Sequence, residues 1–70
     1  MLKFENKVNG RYYYLQKHID MLGHFTLVVT RGGRAVNVIR RYGFDCEIAL
    51  TKKIEILIKR RLQRGYSLIQ

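Results

Sequence analysis

Seventy residues bound this chain to one domain, residues 1–70, near the size where a single core supplies only about 3–5 kcal/mol of stability. A hydrophobic fraction of 47% with five tyrosines and three phenylalanines is enough for a packed core, and no Pro-rich or low-complexity segment marks a disordered tail. Fourteen Lys and Arg against five Asp and Glu leave a net charge of +9, the single cysteine excludes an internal disulfide, and His18, His24 and Cys46 lack metal-ligand spacing.

Leu2, Phe4 and Val8 alternate with Lys3, Glu5 and Lys7, which predicts a first strand, and Asn9-Gly10 is a strong hairpin signal. A two-residue loop there pairs Val8 with Arg11, Asn6 with Tyr13 and Phe4 with Leu15. Phe4, Val8, Tyr13 and Leu15 then share one face, and Tyr12 and Tyr14 share the other with Lys3, Glu5 and Lys7.

A polar link through Asp20 and Gly23 leads to a third strand, about His24 to Arg31, in which Phe25, Leu27 and Val29 alternate with Thr26, Val28 and Thr30. Gly32-Gly33 reads as a tight reversal at positive φ, with Arg31 and Arg34 projecting from a bare turn. Ala35 to Tyr42 is β-branched enough for a fourth strand, on which the neighbours Arg40 and Arg41 point to opposite faces.

After Phe44 the period changes to that of a helix, about Cys46 to Arg64, with Asp45 as the N-cap and Glu47 in the first turn. Leu50, Ile54, Leu57, Ile58 and Leu62 form its apolar stripe, and Gly65 is a good stop. Arg61 falls inside that stripe, so its stem is expected to be partly buried, with the guanidinium reaching outward or pairing. Ser67 to Gln70 can add a short edge strand. The expected fold is α+β, a twisted antiparallel β-sheet of about four to five strands with one long C-terminal helix packed on one face.

Residues 31 to 64 hold ten basic residues against three acids, so +7 of the +9 lies there. A one-signed field on so small a body is the footprint of a nucleic-acid binder. The candidate phosphate-binding residues are Arg31, Gly32, Gly33, Arg34, Arg40, Arg41, Lys59, Arg60 and Arg64, since an arginine fork matches phosphate geometry. Lys59, Arg60, Arg61 and Arg64 would equally serve to complement the carbonyl end of the helix dipole. Tyr12 and Tyr14 share a face with lysines, where their rings can stack on bases or sugars or be covered by a second layer or dimer partner. No Asn or Gln cluster supports base-edge readout, so the expected binding is weakly sequence-selective, with DNA favoured over RNA.

Catalysis finds no Ser-His-Asp pattern, no paired carboxylates at helical spacing and no glycine loop leading into a helix, so neither enzyme activity nor a cofactor or metal is expected. Apolar runs are too short for a membrane span and the first residues lack the layout of a secretion signal, which points to the cytoplasm. The alternative is a protein-interaction or homodimerisation module. Ile48 and Ile56 lie off the Leu50, Ile54, Leu57 face and would be exposed in a monomer.

The order of these features resembles the WGR domain, a small module of poly(ADP-ribose) polymerases and many bacterial proteins. The resemblance rests on Arg11-Tyr12-Tyr13-Tyr14-Leu15, on Gly23-His24-Phe25-Thr26-Leu27, on Thr30-Arg31-Gly32-Gly33-Arg34, and on a helix closing at Arg64-Gly65-Tyr66. Gly32 stands where the family has the tryptophan of Trp-Gly-Arg, while Gly33 and Arg34 match the other two positions. The resemblance implies a DNA-binding role. Because the family's tryptophan stacks at a DNA end and Gly32 has no ring, it also implies only weak end preference. The polar stretch that follows the motif in relatives is replaced by Ala35-Val36-Asn37-Val38-Ile39.

Overall fold

Alternation of apolar and polar residues over the first 44 positions produces four strands: β1 (Leu2–Asn6), β2 (Arg11–Ile19), β3 (Phe25–Gly32) and β4 (Asn37–Phe44). The helix α1 (Glu47–Gln63) follows, then the short strand β5 (Ser67–Leu68). The computed structural model describes residues 1–33 and 37–69; Arg34, Ala35, Val36 and Gln70 lie outside the described residues. The strands form one antiparallel sheet in the order β4-β3-β2-β1-β5, and the helix packs on one face of it. The expected α+β architecture is therefore observed.

Phe4, Tyr13, Leu15, Leu27 and Val29 from the sheet meet Leu50 and Leu57 from the helix to make the buried core. Leu2, Phe25, Tyr42, Phe44, Ile54, Ile58 and Tyr66 pack around it. The stripe ends sooner than its sequence suggests: Leu62, 53% exposed, has rotated off the buried face. Ile48 and Ile56 are also exposed, as expected from their angular positions. The N-cap is Cys46 rather than Asp45, and no side chain bonds the first-turn amides, so Asp45 does not cap.

Two turns differ from expectation. The first hairpin pairs Asn6 with Arg11, Phe4 with Tyr13 and Leu2 with Leu15, not Val8 with Arg11. Asn6 is the cause: its Oδ1 accepts the N–H groups of Val8 (3.0 Å) and Asn9 (3.4 Å), and its carbonyl accepts that of Gly10 (2.8 Å), closing a four-residue turn. Gly10, at φ +72°, completes the reversal. The register moves by two residues, so Phe4, Tyr13 and Leu15 keep their face while Val8 is left 96% exposed.

The glycine pair is not a two-residue reversal either. Gly32 is the last residue of β3, opposite Tyr12 on one side and Asn37, the first residue of β4, on the other. Gly33 has no positive φ. Extending β3 to Gly32 gives its backbone ladder partners on both sides, which a turn at 32–33 would forfeit.

Candidate nucleic-acid interface

The helix ends as the sequence suggests, and that ending builds the site. Gly65 adopts φ +86°, its N–H reaches the carbonyl of Leu62 (3.3 Å), and the N–H of Tyr66 reaches that of Arg61 (3.0 Å). This geometry commonly brings an apolar pair together; here it lays the Tyr66 ring beside the Arg61 guanidinium, 5.4 Å from its centroid. The Tyr13 ring, projecting from β2, lies on the guanidinium at 4.2 Å. The two rings meet edge to face, and Arg61 is only 8% exposed.

Arg61 pairs with no acid among the described residues. Its Nε is buried without a hydrogen-bond partner, and among the described residues the sole ion pair is the exposed His24 with Asp20, at 3.4 Å. A buried donor without an acceptor is costly, and the contact of the guanidinium with the Tyr13 and Tyr66 rings offsets part of that cost. Tyr13 responds to the same surroundings: burial raises its phenol above the ordinary tyrosine range, with the Arg61 charge opposing the rise.

Around Arg61 the fold forms a cleft of about 570 Å³, within the range of small-ligand sites. Arg11 at the start of β2, Arg31 near the end of β3 and Arg64 at the helix end line it with Arg61, and Gly32 and Gly33 line it without a side chain. A Cβ on Gly33 would touch the Arg11 side chain at 3.6 Å. No acid lines the cleft among the described residues, so four guanidinium groups share it without compensation. Asn6 closes the inner side: it is buried, and its Nδ2 donates to the Arg64 carbonyl at 3.3 Å, joining the first hairpin to the helix end.

Of the residues expected to bind phosphate, Arg31, Gly32, Gly33 and Arg64 come together here. Arg34 lies outside the described residues. Arg40 and Arg41 diverge as neighbours on a strand must, and both are exposed: Arg40 opposes Val29 on the helix side, Arg41 opposes Val28 on the open side. Lys59 and Arg60 are exposed on the helix and do not line the cleft. The expected basic track from the glycines along β4 to the helix is therefore replaced by a cleft beneath the hairpin ends.

Arg11 and Arg61 are the arginines of the cleft that sequence reasoning did not place there. Arg61 carried a signal, a cation inside an apolar stripe; Arg11 carried none, because its place depends on how β2 pairs with β3. Tyr12 and Tyr14 do lie together on the face opposite the helix, with ring centroids 4.9 Å apart. Lys3 reaches over Tyr14, 5.6 Å from its centroid, and the Tyr12 hydroxyl donates to Oδ1 of Asn37.

No group of three His, Cys, Asp or Glu residues able to hold a metal occurs among the described residues, and no helix is long and apolar enough to cross a membrane. Comparison with family models, with characterised proteins and with solved structures finds no match for this chain.

Proposed function

We propose that this chain is a nucleic-acid-binding domain, with DNA favoured over RNA, that grips phosphate in the four-arginine cleft and reads little sequence. The single observation that carries this reading is the convergence of Arg11, Arg31, Arg61 and Arg64 on one cleft that no acid lines among the described residues. A phosphate accepts from guanidinium groups that line the cleft and neutralises their mutual repulsion. The resemblance to the WGR domain points the same way, although Gly32 supplies no ring for a DNA end. Catalysis is no part of the proposal, and the free, exposed Cys46 suits a reducing cytoplasm.

Titration of the chain with duplex DNA at several salt concentrations tests the proposal. Four to six phosphate contacts give a log–log salt slope of about −4 to −5. Arg31→Gln is expected to remove roughly one unit of slope and to weaken all sequences alike, because phosphate carries no base information. Absence of binding at low salt would refute the proposal.

A second reading, a protein-interaction or homodimerisation module, draws on the exposure of Ile48 (68%) and Ile56 (47%). Both stand on the solvent side of the helix, away from the cleft.

A further inference from the structure

Tyr12 belongs to two surfaces at once. It lines the arginine cleft, and it stands on the open face of the sheet against Tyr14. Its cross-strand neighbour on β3 is Gly32, which carries no side chain, so the Tyr12 ring lies across it to reach Asn37 on β4 and itself forms the border between the cleft and the tyrosine pair. Its neighbour on β1 is Glu5, the one acid on the open face of the described strands. An anionic chain leaving the cleft thus meets the Tyr12 ring first and is steered away from Glu5. Beyond Tyr12 the face stays receptive: Lys3 covers one flank of Tyr14, and Thr30 and Ile39 continue its row towards the outer strand.

We infer that the preferred ligand is an unpaired DNA strand, with phosphate in the arginine cleft, the backbone passing the Tyr12 border, and successive bases stacked on Tyr12 and Tyr14. The inference rests on the nucleic-acid reading above. A duplex keeps its base faces inside the helical stack and offers the tyrosines nothing, whereas an unpaired strand presents them. The Tyr12 hydroxyl is engaged by Asn37, which holds the ring in place and leaves a face for stacking rather than an edge for base readout. Every base has a π-face, so the track tolerates sequence.

The experiment compares a short oligo(dT) strand with a duplex of equal length at fixed salt, using the full chain and following anisotropy together with tyrosine emission. The chain has five tyrosines and no tryptophan, so ring stacking is read directly as quenching. The single strand is expected to bind more tightly than the duplex and to quench emission. Tyr14→Leu should weaken the single strand by roughly 5- to 100-fold while leaving duplex affinity and salt slope unchanged, and Tyr14→Phe should retain the wild-type preference. Equal affinities with unquenched emission would overturn the inference, and this readout requires no variant to fold. If Arg31→Gln weakens binding while Tyr14→Leu has no effect, the stacking track fails and the phosphate cleft survives. Absence of binding to either probe defeats both.

Discussion

Replacing Arg61 with methionine separates a binding cation from a structural one. The substitution keeps an unbranched stem of similar reach and removes the guanidinium of a residue that is 8% exposed, a group in contact with Tyr13 and Tyr66 and without an ion-pair partner among the described residues. Losing the ring contacts costs about 0.5–2 kcal/mol for each ring. Against this stand the orphaned Nε, worth about 1–3 kcal/mol once relieved, and the larger cost of desolvating an unpaired charge. The balance leaves Arg61→Met as stable as the wild type or more stable by about 1–2 kcal/mol, which at this chain length raises Tm by about 4–16 °C. Phosphate binding should move the other way. Charge-assisted hydrogen bonds are worth about 1.5–3 kcal/mol, so duplex affinity falls by roughly 10- to 100-fold. Thermal melts followed by circular dichroism, run with and without inorganic phosphate, measure both effects: phosphate should raise the wild-type Tm and leave that of Arg61→Met nearly unchanged. A Tm loss beyond about 10 °C with undiminished DNA affinity would refute the reasoning and make Arg61 a cation satisfied by its two rings.

Asn6→Ala removes the bond to the Arg64 carbonyl and both side-chain acceptors of the first turn; urea unfolding should show a loss of about 1–3 kcal/mol, with cleft affinity falling as the helix end loosens. Tyr13 has its folded pKa raised by burial, so the stability it contributes is complete below the unfolded tyrosine value of about 10 and is lost as pH rises through the folded value. Melts from neutral to strongly alkaline pH should therefore show a decline that Tyr13→Phe blunts, and an identical decline in the variant would remove Tyr13 as the cause. If Ile48 and Ile56 mediate self-association, sedimentation will show a concentration-dependent dimer that Ile56→Lys abolishes; a strict monomer at all concentrations would end the dimerisation reading.

Local pattern was enough to define the strands, the helix, its glycine stop and the burial of the Arg61 stem, though not the packing of its guanidinium on two rings, because each follows from a period or a backbone preference confined to a few neighbouring residues. The same alternation put Tyr12 and Tyr14 on one face and split Arg40 from Arg41. What needed the folded chain was convergence. Arg11, Arg31, Arg61 and Arg64 come from two strands and the helix end, and they meet because β2 pairs with β3 with Tyr13 opposite Arg31 and the helix end docks beside them, where Asn6 bonds the Arg64 carbonyl. The glycine pair shows the same limit: its composition signals a reversal, but whether Gly32 turns or pairs depends on how far β2 and β4 extend beside it. Periodicity determines which face a residue occupies, whereas hairpin register and helix docking decide which residues on that face share a cleft, and those are settled by contacts between segments far apart in the chain.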